Sequence, residues 1–332
     1  MKTRRLGRSG PMVAEIGLGC MSWAGFYGPA DDAESRRVMA RALDLGVDHW
    51  DTANVYGNGS NETLLGSFFT EDRTRRDRVV LASKFGIIRG PNGERTFDNR
   101  PSHMIECLEA SLRRLKTDRL DLYYVHRIEP GRPVEETVAA LARQVQAGKI
   151  RAIGLSEVAP DTLRRAAAVH PIAAVQSEYS LWTRTPEVGL IQACRDVGAA
   201  FVAFGALGRG FLSGALTDIA TLAEKDFRRG NPRFVEPHWS RNRAAYARFA
   251  ALAEARGTTT ARLALAWVLA QGDHVIPIPG TRSISHLEEN VAAADLSLSG
   301  ADLAAIETAL PKGFAAGDRY TDLQWYGSER YA

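Results

Sequence analysis

Asp51 and Tyr56 stand five positions apart in Asp51-Thr-Ala-Asn-Val-Tyr56, and Gly57 follows; Lys84 lies 33 positions after Asp51, and His126 lies 42 after Lys84. Each sits at or just past the end of a short apolar run, where a strand would stop. An acid, a phenol, an ammonium and an imidazole gathered there suit one chemistry: a proton given to a carbonyl oxygen while a hydride reaches its carbon. A tyrosine with its ordinary pKa of about 10 is a poor donor at neutral pH. A neighbouring ammonium stabilises the phenolate and lowers that pKa, and Lys84 is the expected source. A buried lysine needs a partner of its own, which Asp51 offers. His126 is expected to hydrogen-bond the carbonyl oxygen and help orient the substrate, so that developing alkoxide charge is stabilised where it forms. Taken singly, Asp51 reads as a turn cap, Lys84 as an exposed strand-end lysine and His126 as a satisfied core histidine. Four such residues at consecutive strand ends favour the chemical reading.

The elements that must position them are short apolar runs alternating with segments of helical period. Eight runs stand out: Ile16–Cys20, Val47–Ala53, Val79–Phe85, Leu120–His126, Ala152–Ser156, Ala173–Glu178, Ala200–Leu207 and Val275–Pro279. Several are almost continuously apolar, as strands covered on both faces are. Between them, Ala33–Leu45 ends at Gly46, Ser102–Lys116 carries Met104, Ile105, Leu108, Leu112 and Leu115 at a spacing of three to four, and Pro133–Ala147 stops at Gly148. Pro160–Val169 and Pro186–Val197 also open on proline, which suits a first helical turn. Strand and helix alternating eight times predict a parallel (β/α)8 TIM barrel, with a doubly wound sheet as the alternative. Functional residues spread over many strand ends favour the barrel, whose active sites lie at the C-terminal ends of its strands. The chain 1–332 reads as one domain with three additions. Residues 2–15 form an expected hairpin turning at Gly7-Arg8-Ser9-Gly10-Pro11, able to plug the N-terminal face of the barrel. Residues 208–240 form a long insertion after the seventh strand. Residues 311–332 form a tail carrying Phe314, Tyr320, Trp325, Tyr326 and Tyr331, which argues for docking.

Composition excludes several classes. Charged residues make up 24% and the net charge is +3, with Lys and Arg scattered, so a nucleic-acid surface is not expected. The pairs Arg113-Arg114 and Arg228-Arg229 read as solvated faces. Cys20, Cys107 and Cys194 are far apart and form no C-x-x-C, against a disulfide framework or a metal site and in keeping with a reducing, cytoplasmic setting. The N-terminus lacks an apolar core and no stretch approaches a membrane span. Gly17-Leu-Gly19-Cys-Met-Ser22 imitates a dinucleotide fingerprint but lacks its third glycine and an expected helix directly after it.

Asp51–Gly57, Ser83-Lys84 and Leu120–Pro130 (LDLYYVHRIEP) resemble the aldo-keto reductases, in particular their bacterial and plant branch, which is related to potassium-channel β-subunits. So do Ile153–Glu157, Gln176–Tyr179, Leu207–Leu212 (LGRGFL) and Pro277–Asn290 (PIPGTRSISHLEEN). The motifs are ordered and spaced as in the family from about residue 2 to about residue 320. The resemblance implies NADPH-dependent reduction of an aldehyde or ketone, with Asp51, Tyr56, Lys84 and His126 as the catalytic tetrad and Tyr56 as general acid. It implies that Ser156, Glu157 and Gln176 hold the nicotinamide carboxamide. The family often has Asn where Glu157 stands; an ionised Glu still accepts from the amide NH2. The ring would stack on Phe204, where a tyrosine is usual. Gly205 and Ala206 replace a serine and a proline of the common loop, while Leu207, Gly208, Arg209 and Gly210 remain to hold the pyrophosphate. Gly280, Thr281, Arg282 and Ser283 would meet the adenosine 2′-phosphate at a helix N-terminus. Glu289 and Asn290 match the adenine contacts. His286 replaces a common arginine or glutamine, so NADPH/NADP+ is expected with NADH as an admissible alternative.

Trp23, Tyr27, Phe85 and Arg127 are the expected substrate contacts, with Phe26, Trp182 and Trp325 as further aromatic candidates and the polar loop 88–100 nearby. The substrate is a small-molecule carbonyl or alcohol, with no nucleic-acid or membrane partner. Three other readings share the residues: an NAD(P)+-dependent sugar or alcohol dehydrogenase running oxidatively, a cofactor-sensing binding subunit with little turnover, and a barrel lyase or hydrolase that needs no nicotinamide. The absence of an added N-terminal segment weighs against the second of these.

Overall fold

The computed structural model describes residues 1–8, 10–90 and 94–331. Ser9 of the expected turn, Pro91, Asn92 and Gly93 of the polar loop, and Ala332 of the tail lie outside the described residues. The elements run β1 (Thr3–Arg5), β2 (Met12–Ala14), β3 (Leu18–Gly19), α1 (Asp32–Asp44), β4 (His49–Asp51), α2 (Ser60–Glu71), α3 (Thr74–Asp77), β5 (Val80–Phe85), β6 (Ile87–Arg89), β7 (Arg95–Phe97), α4 (Pro101–Leu115) and β8 (Leu122–Val125). They continue as α5 (Val134–Gln146), β9 (Ile153–Ser156), α6 (Pro160–Val169), β10 (Ile172–Glu178), α7 (Leu190–Val197), β11 (Ala200–Phe204), α8 (His238–Ala255), α9 (Thr260–Leu269), β12 (Val275–Pro277), α10 (Ile284–Ala292), α11 (Gly300–Ala309) and α12 (Asp322–Trp325).

Eight strands pair in parallel in the order β3-β4-β5-β8-β9-β10-β11-β12. Gly17 N donates to Pro277 O at 2.9 Å and Gly19 N to Pro279 O at 3.2 Å, which brings the last strand against the first and closes the ring. A doubly wound sheet would reverse its strand order part-way; this one keeps sequence order throughout, as a (β/α)8 barrel does.

The two-residue period of a strand decides which side chains enter the barrel. Trp50, Leu81, Phe85, Tyr123, Val125, Leu155, Val175 and Phe201 point outward into a core shared with the helices. Ala82, Leu122, Tyr124, Ala174, Ala200, Val202 and Ile276 point inward into a smaller core. Gly154 keeps that interior open to Tyr124: a Cβ there would stand 2.3 Å from the ring. β1 and β2 form the expected antiparallel hairpin, and their Leu6 and Val13 join the inner core, sealing one end of the barrel. The other end, where the strands finish, carries the loops.

Helix boundaries follow the sequence cues closely. α4 begins at Pro101, buries Met104, Leu108, Leu112 and Leu115 on one stripe, and ends at Lys116 in a left-handed conformation. Four expectations are corrected. The single helix expected over Pro186–Val197 is a 3-10 turn (Thr185–Val188) and α7, separated by Gly189 at φ 139°. A one-turn 3-10 helix, Met21–Ala24, does follow the glycine pair at 17 and 19. The loop 88–100 is built around the antiparallel hairpin β6–β7. Arg114 and Arg228 are not merely solvated: Arg114 pairs with the buried Glu62 at 2.7 Å and Arg228 with Asp226 at 2.7 Å.

Candidate active site

The inward parity of the strands continues past the inner core and selects the site. Asp51 lies two residues beyond His49, Lys84 two beyond Ala82, His126 two beyond Tyr124, and Gln176 two beyond Ala174. Lys84 is the hub. Its ammonium forms an ion pair with Asp51, donates to Thr52 O at 2.8 Å, and donates to the Tyr56 hydroxyl at 3.3 Å. Three N–H donors thus meet three oxygens. Gln176 Nε2 holds the other Asp51 oxygen at 2.8 Å. Tyr56 opens a tight turn after β4, and its ring meets that of His126 edge-on with centroids 5.8 Å apart. The turn is tied down behind the site, since Thr52 Oγ1 donates to Asn61 Oδ1 at 2.6 Å and Asn61 Nδ2 to Cys20 O at 2.9 Å. The four residues expected to converge do so.

Their electrostatics differ from the pairwise expectation in one respect. Burial raises the Tyr56 pKa, and the opposing pull of Lys84 only moderates the rise. The phenol therefore stays protonated at neutral pH and keeps its proton available. Burial, reinforced by Lys84 and Arg127, pushes the His126 pKa well below its ordinary value, so the imidazole is neutral. Its Nδ1 is buried without a protein partner. Lys84 has its pKa raised even though burial opposes it, because Asp51 and Tyr56 outweigh the desolvation.

The residues expected to hold a nicotinamide cofactor line the same end of the barrel. Ser156 Oγ accepts from Arg127 at 3.1 Å, and Phe204 ends β11 half-buried. Glu157 adopts φ 56°, uncommon for a residue with a side chain. Its carboxylate accepts from Ser177 Oγ and from the Glu178 amide, both at 2.8 Å. After β11, Gly208, Arg209 and Gly210 are all left-handed, and a Cβ on Gly208 would stand 2.8 Å from Trp182. The Gly208 and Gly210 amides are used within the loop, on Gly205 O at 2.7 Å and Leu207 O at 3.1 Å, so an anion held here would meet the Arg209 side chain. Arg209 is half-buried with its side chain 8% exposed, pairs with Glu178 at 2.9 Å and leaves Nη1 without a hydrogen-bond partner. Gly280 packs against Gly19 O, Thr281 bonds Ser283 N at 3.0 Å, and Ser283 caps α10. Arg282 lies exposed beside that N-terminus with its guanidinium on Pro29 O. His286 is exposed, Glu289 half-buried and Asn290 buried on the same helix. A glycine loop carrying Arg209 with its unpartnered Nη1, and a capped helix N-terminus with an arginine beside it, fit a dinucleotide phosphate.

The substrate expectations fare unevenly. Arg127 is buried beside His126, with Nη1 on the His126 carbonyl at 2.6 Å and Nε unpartnered. Tyr27 is held near Arg209, Glu178 and Tyr320, its phenol pushed up to about 12 mainly by burial. Phe85 is corrected: next to inward-facing Lys84 it must face outward, where it stacks on Tyr123 at 5.2 Å in the helix-side core. Trp23 and Trp182 are also buried as structural parts. The Trp23 indole N–H is used on Thr281 O at 2.9 Å, and Trp182 stacks on Phe211 at 4.0 Å. Phe26 stacks on Phe227 of the insertion at 4.7 Å.

What the sequence reading missed is the part played by Arg319. The tail docks, as its aromatics suggested, and it carries Arg319 and Tyr320 into the site. Arg319 is buried and ion-paired with Glu157, lies 3.9 Å from Glu178, and faces the Tyr320 ring at 4.6 Å. Tyr326 packs on Phe97 of β7 at 5.3 Å, and Trp325 Nε1 reaches Asp318 at 3.0 Å. Glu329 accepts from Ala159 N at 2.6 Å and Thr162 Oγ1 at 2.8 Å, which closes the N-terminus of α6. The available signal was Gly317-Asp-Arg-Tyr320, two charges beside an aromatic in a segment already expected to dock.

The Aldo/keto reductase family model matches residues 15–311. The chain is 42% identical over 322 residues to the Schizosaccharomyces pombe aldo-keto reductase yakc, whose name specifies NADP(+), covering 96% of this chain and 94% of that one. Among solved structures, the glycerol dehydrogenase of Gluconobacter oxydans superposes with a TM-score of 0.84 at 30% identity, covering 93% of this chain and 94% of that one. A Bacillus halodurans aldo-keto reductase superposes with a TM-score of 0.78 at 28% identity, covering 98% of this chain and 99% of that one. With the barrel, the Lys84 hub and the phosphate-suited loops in hand, the chain belongs to the aldo/keto reductase family, the NAD(P)H-dependent oxidoreductases that act on carbonyl groups.

Proposed function

We propose that the chain, acting as one barrel domain, reduces a small aldehyde or ketone to an alcohol with NADPH, and that Tyr56 is the general acid. The observation that carries this is the Lys84 ammonium, shared between Asp51, Thr52 O and the Tyr56 hydroxyl inside the mouth. NADPH, when bound, supplies the hydride. Ser156, Glu157 and Gln176 would hold its carboxamide and Phe204 its ring. Leu207, Gly208, Arg209 and Gly210 would hold the pyrophosphate, and Gly280, Thr281, Arg282 and Ser283 the adenosine 2′-phosphate, with His286 one turn on along the same helix. Glu289 and Asn290 would hold the adenine. The neutral His126 donates an N–H to the carbonyl oxygen and fixes its position. Tyr56 gives its proton to that oxygen as negative charge develops there. Lys84 stabilises the phenolate left behind, and Asp51 and Gln176 keep Lys84 in place. Tyr27 and Arg127 would contact the substrate.

Titration of the protein with NADPH, followed by tryptophan fluorescence and then by a panel of carbonyl substrates, tests this reading. Saturable binding and NADPH-dependent turnover are expected. Carbonyl or C–O bond chemistry without nicotinamide would point to a barrel lyase or hydrolase. Arg282→Ala should weaken NADPH by about tenfold and NADH hardly at all, the size of one charge-assisted contact. The name of the Gluconobacter relative supports a second reading, the same site run as an alcohol dehydrogenase. Steady-state rates in both directions, weighed against cellular cofactor ratios, separate the two.

A further inference from the structure

Glu157 brings a negative charge to the proposed carboxamide site. Its backbone is left-handed and its carboxylate is buried at the end of β9. Its two neutral donors, Ser177 Oγ and the Glu178 amide, serve one oxygen, Oε1. The other oxygen, Oε2, is paired with Arg319. The neighbouring guanidinium of Arg127 is committed to Ser156 and the His126 carbonyl. Glu178, the second carboxylate near Arg319, already has Arg209 at 2.9 Å.

The tail is built to deliver this one guanidinium. Asn242 holds Ala316 at both its N–H (2.8 Å) and its carbonyl (3.0 Å). Asn231 Nδ2 holds the Arg319 carbonyl at 2.7 Å, and Asp318 accepts from the Arg319 amide at 2.6 Å. The guanidinium is flanked by the rings of Tyr320 and Trp325, at 4.6 and 4.8 Å. Past it, Glu329 fastens the chain to α6, and Glu329 N donates to the Glu157 carbonyl at 3.0 Å. Burial pushes the Arg319 pKa down to about 10, which leaves the group charged at neutral pH.

The oxidised nicotinamide ring carries a positive charge that the reduced ring lacks. A buried carboxylate beside it, left without its cation, would favour the oxidised form; a guanidinium left without its carboxylate would favour the reduced form. We propose that Arg319 is a positioning residue which neutralises and holds Glu157, and that the pair sets the balance between oxidised and reduced cofactor in the site. This rests on the assignment of Ser156, Glu157 and Gln176 to the carboxamide. It assigns a chemical role to the C-terminal tail.

The test is the dissociation constants of NADPH and NADP+, each titrated separately against the full chain by fluorescence. Arg319→Met should shift their ratio toward NADP+ by about tenfold, the order expected of one unit charge at several ångströms in a partly buried site. Glu157→Gln should shift it toward NADPH. The double variant should return to within about twofold of wild type, because removing both charges removes two opposite effects on the ring. Arg319→Lys should keep the wild-type ratio. If Arg319→Met fails to fold, the sign of the Glu157→Gln shift still decides. Equal weakening of both nucleotides by Arg319→Met, no shift or a reversed shift in Glu157→Gln, or no rescue in the double variant would overturn the proposal. A wild-type protein that binds neither nucleotide would instead overturn the cofactor assignment beneath it.

Discussion

Lys84→Met separates what the buried ion pair does for folding from what it does for chemistry. Lys84 is fully buried and its ammonium makes three contacts, to Asp51, Thr52 O and Tyr56. Methionine fills nearly the same volume and removes only the charge and the donors. Asp51 is then left in the barrel with Gln176 Nε2 as its remaining side-chain donor. Breaking a buried pair from one side costs about 3–5 kcal/mol. For a chain of 332 residues the unfolding entropy is about 0.7 kcal/mol/K, so Tm should fall by about 4–7 °C. Removing the second charge as well, in Asp51→Asn with Lys84→Met, should recover at least about half of that loss, since no uncompensated ion remains. Activity should not recover. Without the ammonium nothing stabilises the phenolate, and turnover should stay about 10²–10⁴-fold down in both variants. Thermal melts and steady-state rates on the same preparations measure the two effects. A single variant as stable as wild type, or a double variant less stable than the single, would refute the account of the pair.

Two further outcomes follow from burial and parity. His126, His49 and His274 all have pKa values lowered mainly by burial. Below about pH 6.5 the unfolded chain takes up protons that the folded chain refuses, so stability should fall as the pH drops from 7 toward 5. His126→Asn should reduce that slope by up to about 1.4 kcal/mol per pH unit in urea melts; an unchanged slope would mean the imidazole is not held neutral. Phe85→Ala should cost about 3–5 kcal/mol of stability, as core phenylalanines do, while leaving the Michaelis constant for small carbonyls near wild type. A rise in that constant without loss of stability would return Phe85 to the substrate pocket.

The barrel was legible because its cues are local. Apolar runs such as Val79–Phe85 and helix-end residues such as Pro160 and Gly46 each act within a few residues, and the structure honours them. The convergence of Asp51, Tyr56, Lys84 and His126 was legible because consecutive barrel strands are neighbours. Parity was available too, and applying it to Lys84 excludes Phe85, one residue on, from the same mouth. The net direction of the Tyr56 shift was not available, since it depends on how deeply the mouth is buried as well as on the neighbouring ammonium. The pairing of Glu157 with Arg319 was hidden for another reason: 162 residues separate them, and nothing local to either names the other. The break at Gly189 also lay beyond helical periodicity, because it depends on a left-handed φ that a glycine permits but does not announce.

Tyr56→Phe tests the central claim most directly. The substitution removes one hydroxyl and leaves the ring against His126 and the ion pair of Lys84 with Asp51 in place. The account predicts that carbonyl turnover falls by at least about 10³-fold while NADPH binds as in wild type. A variant that kept most of its turnover would show that the proton comes from elsewhere, and the general-acid assignment would be wrong.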